Sequence, residues 1–143
     1  MCDKDRGRLV ETMWGEYGTL QQLEDMILHQ EIKSISDDLI TLKNGVEITI
    51  ELSDSDCCAG GGGKFEFCEY NAPLEAIITD FKIHEPIDVP NSDTIVKRNT
   101  VTIFHNQNAI VNANAESDAG NGGYYFSVTS LVVGGIHFPI VSA

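Results

Sequence analysis

The sequence predicts an α+β fold, mostly β: a single domain of about seven to nine largely antiparallel strands with one short N-terminal helix. Three observations point there. Apolar residues recur at every second position through most of the chain; they recur at spacings of three and four once, near the N-terminus; and clusters of Gly, Asn and Pro separate the alternating runs. With 143 residues, 42% of them apolar, the chain has enough material for one buried core.

Residues 1–16 show no clear period and read as an N-terminal arm, with Trp14 and, just beyond it, Tyr17 as docking aromatics. The main domain then covers 17–143. Thr19 can cap a helix to about His29, because Leu20, Leu23, Met26 and Ile27 fall on one helical face. From Glu31 the period becomes two, in EIKSIS, DLITLK and VEITIEL. Asn44-Gly45 between the last two predicts a type I′ hairpin. A Gly-rich loop is expected over Ser53–Gly63, followed by the strand KFEFCEY with Phe65 and Phe67 on one face. After Pro73, EAIITDFKIHE reads as a further strand. Pro86 and Pro90 mark a turn or linker between sub-halves 30–85 and 94–143. The second half reads as the strand TIVKRNTVTIFHN, a polar loop NANAESDAGNGG, the strand YYFSVTSLVV, a Gly134-Gly135 turn and the strand IHFPIVS.

Charge narrows the function. A net charge of −13, with nine scattered Lys and Arg, repels nucleic-acid backbones and anionic membranes. Direct nucleic-acid binding is therefore not expected. A small anionic ligand is, because a local pocket of donors and cations outweighs the global field at short range. The apolar stretch Ser130–Val141 is broken by Gly134, Gly135 and Pro139 and falls short of the roughly 20 residues needed to span a bilayer. MCDKDRGRLVE has no apolar core of a secretory signal, so Cys2, Cys57, Cys58 and Cys68 are expected to be free thiols in a reducing cytoplasm.

The segment DSDCCAGGGGKF invites four chemical readings. A phosphate-binding Walker loop fails, because Cys58 and Phe65 stand where Gly and Ser/Thr are needed. A connection between strands, or an anion-binding nest of glycine N–H groups beside Lys64, remains. Adjacent cysteines suit zinc poorly, leaving Cys57, Cys58 and Cys68, with a distant His84 or His105, as an outside candidate for a metal; a strained Cys57–Cys58 disulfide would imply a redox switch. Asp54 and Asp56 form half a calcium loop without its closing Glu. No nucleophile elbow, zinc-protease motif or reactive-cysteine context occurs, so the protein is read as non-enzymatic and without a cofactor. His105 and Asn106 end one strand, and Tyr124, Tyr125 and Phe126 begin the next predicted one. Paired strands would join an imidazole, amides and aromatics at one rim, where a planar base could stack. Lys64, Lys97 and Arg98 would meet its phosphates.

ITLKNGVEITIELSDSDCC, ITDFKIHE, VTIFHNQN and GNGGYYFSV together resemble a domain-of-unknown-function family of bacteriophages and some bacteria, over about residues 29–133. In this resemblance Asp56, Cys57, Cys58, His105, Asn106, Gly123, Tyr124 and Tyr125 are the corresponding positions. It implies a small phage accessory protein in the cytoplasm of the bacterial host. The expectation is a binding protein, with its pocket at a homo-oligomer interface, that counters host defence by sequestering a cyclic nucleotide or ADP-ribose derivative, or by blocking a host protein. A virion decoration or minor tail component and an acidic DNA mimic are the alternatives.

Overall fold

The computed structural model describes residues 6–10, 17–56, 59–68, 76–90, 93–120 and 126–143. They form one short helix and ten strands in two antiparallel sheets that share one apolar core. Helix α1 (Leu20–Ile27) starts where expected: Thr19 accepts from the Gln22 amide and the Gln22 side chain accepts from the Thr19 amide, a reciprocal capping box. It ends two residues before His29, which turns left-handed (φ 67°) and donates its amide to the Ile78 carbonyl. Leu23 and Ile27 bury the apolar face.

The first sheet has the order β1 (Ile32–Ile35), β2 (Ile40–Leu42), β3 (Glu47–Ser55), β9 (Ser127–Val133), β10 (Ile136–Ser142). The second runs β4 (Gly60–Phe67), β8 (Asn108–Asp118), β7 (Val96–His105), β5 (Asp80–Ile83), with β6 (Ile87–Asp88) also on β7. Each sheet draws strands from both halves of the sequence, so Pro86 and Pro90 do not divide the body. Alternation explains the core. Val111, Ala113 and Ala115 on β8 and Val101 and Ile103 on β7 face Ile48, Leu131, Val133, Phe138 and Ile140 of the first sheet. Buried polar groups tie the layers: Asn99 Nδ2 donates to the Ile140 carbonyl (2.8 Å), Ser117 Oγ to that of Val141 (3.1 Å) and Thr129 Oγ1 to that of Glu116 (2.7 Å).

Three expectations need correction. The Gly-rich segment is not all loop: β3 continues to Ser55, and Gly60–Gly63 are the first half of β4, in unbroken register against Asp118–Ala115. The polar segment after Val111 is strand β8, whose Asn, Ala and Glu alternate between solvent and core. At Asn44-Gly45 the turn is not type I′, because Gly45 alone has positive φ (90°); its amide donates to Leu42 and the Leu42 amide to Val46, a type I turn closed by a glycine bulge. Asn106 and Gln107 (φ 47° and 71°) carry the two-residue left-handed turn of the β7–β8 hairpin.

The missing side chains of Gly61 and Gly63 would point toward Thr129, Leu52 and Ile50 of the first sheet. A Cβ on Gly61 would lie 2.2 Å from Thr129 Oγ1 and 2.6 Å from the Glu116 carbonyl oxygen, and one on Gly63 2.1 Å from that of Asn114. Gly60 and Gly62 face outward with open space. No helix among the described residues is long and apolar enough to cross a membrane.

Candidate functional site

The outer face of the second sheet is a polar surface built by alternation. Register places Lys64, Asn114 and Thr100 in one row, Glu66, Asn112 and Thr102 in the next, and Gly62, Glu116 and Arg98 in a third. Hydrogen bonds order these side chains. Thr100 Oγ1 donates to Asn114 Oδ1 (2.8 Å), and Asn114 Nδ2 to Glu66 (3.0 Å). Thr102 Oγ1 donates to Asn112 Oδ1 (2.7 Å), so His84 Nε2, 2.8 Å from the same hydroxyl, must carry the proton that it gives to Thr102.

Two grooves open on this face and meet at Arg98. One, of about 510 Å³, has Gly60 and Gly62 as its bare floor and Lys64, Glu116 and Asp118 at its sides. The other, of about 680 Å³, lies over Thr100, Thr102 and Asn112 between Lys82, His84 and Glu85. Arg98 Nε and Nη2 both reach Glu116 Oε1 (3.0 and 2.8 Å). Both partners are 47% exposed, so the pair contributes about 1 kcal/mol or less and can yield to a ligand. Lys64 has no ion-pair partner among the described residues. Lys64, Lys82 and Arg98 thus place three of the chain's nine basic side chains on one face of an acidic molecule.

Burial, reinforced by the Lys82 charge, lowers the His84 pKa below the ordinary 6.5. The folded state therefore binds this proton less readily than the unfolded chain, and stability rises with pH between the two pKa values. We predict a melting temperature that falls as pH drops below about 6.5, with a smaller fall in His84→Gln over pH 7.5 to 5. Equal slopes in thermal melts of the two proteins would refute this role for His84.

The residues singled out in the sequence divide among several places. Lys64 and Arg98 share the first groove. Lys97 alternates to the opposite side of β7, paired in register with Asp88 and Ser117. His105 and Asn106 lie at the far end of β7, about 23 Å from Arg98 at roughly 3.3 Å per residue. There they pin a turn: His105 Nδ1 meets the Ile77 carbonyl (2.7 Å), its Nε2 meets Asn106 Nδ2 (3.2 Å), and the Asn106 amide donates to Thr79 Oγ1 (2.9 Å). The strand after the second Gly-rich segment pairs with β3, not with β7, so the rim imagined around His105 is not formed by that pairing. Phe126 enters β9 clamped to Asp56, its amide donating to the Asp56 carboxylate (2.7 Å) and its carbonyl accepting from the Asp56 amide (2.8 Å), one residue from Ser127, whose hydroxyl donates to the Asp118 carbonyl beside the first groove. Tyr124, Tyr125, Trp14, Cys57 and Cys58 lie outside the described residues. Burial and the Glu66 charge raise the Cys68 thiol pKa, which disfavours its thiolate. Among the described residues no group of three His, Cys, Asp or Glu is placed to hold a metal.

Lys82, Thr100, Thr102, Asn112 and Asn114 were not singled out in the sequence, and His84 only as a distant metal ligand. The signal was the alternation Val-Asn-Ala-Asn-Ala-Glu over 111–116, a strand pattern disguised by small and polar residues. No curated protein and no solved structure matches the chain. Residues 19–132, spanning α1 and every strand up to β9, match the domain of unknown function DUF7448, and the chain belongs to that family.

Proposed function

We propose that this is a non-catalytic binding protein that takes a small anionic, nucleotide-type ligand on the outer face of its second sheet. The observation that carries the reading is Arg98, set where two grooves meet and flanked on the same face by Lys64 and Lys82. A guanidinium in a forked, half-exposed pair can exchange a carboxylate for a phosphate, whose geometry it matches equally well. The Thr and Asn side chains beside it supply donors and acceptors for ribose hydroxyls and base edges. The acidic remainder of the molecule disfavours long polyanions, consistent with a ligand small enough to stay within the grooves.

In the biological setting suggested by the sequence resemblance, such a protein would act in the cytoplasm of a phage-infected bacterium and sequester a cyclic nucleotide or ADP-ribose-derived defence signal. Native mass spectrometry of the purified chain, alone and with a panel of these compounds, tests the proposal and reads the subunit count, where a homo-oligomer is expected. A stoichiometric added mass from one ligand class supports sequestration. Failure of every compound to bind overturns it and directs attention to a host protein or to purified virions.

A further inference from the structure

Beyond that ligand face, we propose that the free edge of β4 at Gly61–Gly63 is a strand-addition site for an extended segment of another protein that alternates basic and apolar residues. In the unbroken register with β8, successive residues of β4 turn their backbone groups alternately toward and away from that neighbour. The Phe65 amide points away, since it donates to the Asp37 carbonyl (2.8 Å). By the same alternation, those of Gly61 and Gly63 point outward, and both residues are exposed. Neither has a backbone partner on that side among the described residues.

The other sheet edges are treated differently. Val10 and Gly18 donate to β10, the Arg6 carbonyl accepts from Ile83 at the end of β5, and β1 is covered through Ile32 to Ala76 and the Glu31–Ile77 bridge. The edge of β3 beyond β2 carries exposed Glu51 and Asp54 and a bulge between Leu52 and Asp54. Natural sheets use such coverings, charges and bulges to prevent unwanted pairing. Along Gly61–Gly63 neither a covering segment nor a bulge is present among the described residues, and the glycines themselves carry no charge.

Charge and shape select the occupant. An added strand would direct alternate side chains inward toward Leu52, which is 37% exposed and close to Gly61. The others would lie beside Gly60 and Gly62, whose missing side chains leave a lane toward Glu116 and Asp118 two strands away, about 10 Å. Glu116 uses Oε1 for both Arg98 contacts, leaving Oε2 to face a cation. Exposed Asp56, in the turn just before Gly60, and exposed Glu66 on β4 itself add to this negative field, which opposes pairing of this edge with the same edge of a second copy. Main-chain bonds supply affinity in this mode and alternate side chains supply specificity.

The test uses the unmodified protein without nucleotide, so its outcome is separate from that of the ligand face. A peptide alternating valine and lysine is titrated alongside an alternating valine–glutamate peptide and a valine–lysine peptide N-methylated at alternate residues. The valine–lysine peptide is expected to bind at least tenfold more tightly than either control and to slow hydrogen exchange at the Gly61 and Gly63 amides. Equal binding of the N-methylated peptide, no binding, or no protection of those amides would overturn the proposal. Concentration-dependent protection without peptide would instead identify a second copy as the occupant and overturn it as well.

Discussion

Gly61→Ala and Gly63→Ala are each expected to cost the fold about 2–3 kcal/mol, whereas Gly60→Ala and Gly62→Ala leave it unchanged or stabilise it by about 0.5 kcal/mol. All four glycines are consecutive in one strand, and none has a left-handed φ. Conformational freedom therefore does not distinguish them. What differs is the space opposite each missing Cβ. At positions 61 and 63 it is filled by backbone carbonyls of β8 and by Thr129 and Ile50, and the carbonyls are fixed in the sheet. Relief would require β4 to shift away from its own neighbour β8 as well as from Thr129 and Ile50 of the first sheet, which would disturb the β4–β8 pairing. At 60 and 62 a methyl group meets open solvent and restricts the unfolded chain. Urea unfolding of the four variants distinguishes the cases: an odd–even alternation is expected, and four equal, near-zero effects would mean that the segment is a loop after all.

This odd–even contrast also marks what the sequence could and could not reveal. The helix was legible because Thr19, Gln22 and the 20/23/26/27 spacing agree on one local structure. The apolar hairpins were legible because Ile, Leu and Val alternate with polar residues. Gly60–Gly63 were not, since glycine carries no side chain by which alternation can be read, and the closeness of Thr129, 68 residues beyond Gly61, is a tertiary fact. Strand β8 was obscured because its inward residues Ala113, Ala115 and Ser117 are too small or polar to signal burial, although all three are fully buried and Ser117 Oγ lies 2.9 Å from Thr129 Oγ1 of the first sheet. For the site, the sequence suggested Lys64 and Arg98 as cations, and the structure places them along one groove. It could not show that Lys82 and His84, from a strand on the far side of β7, share that face.

Arg98→Ala is expected to weaken nucleotide binding ten- to hundredfold, corresponding to the roughly 1.5–3 kcal/mol of a charge-assisted hydrogen bond. The variant should fold normally, because the lost Arg98–Glu116 pair is half-exposed. Arg98→Lys should recover the charge but not the two-pronged geometry, and so bind with intermediate affinity. Calorimetric titration with the compound found by mass spectrometry measures all three proteins. Unchanged affinity in Arg98→Ala would remove the arginine from the site, and equal affinities for Lys and Arg would reduce its role to charge alone.

Amide-resolved NMR during titration with the same nucleotide panel tests most directly whether the outer face of the second sheet is the ligand surface. Saturable shifts are expected to concentrate on Lys82, Arg98, Thr100, Thr102, Asn112 and Asn114, with little change on the first sheet. Shifts centred instead on the Ser53, Ser130 and His137 hydrogen-bond cluster of the first sheet, or on the His105–Asn106 turn, would contradict it.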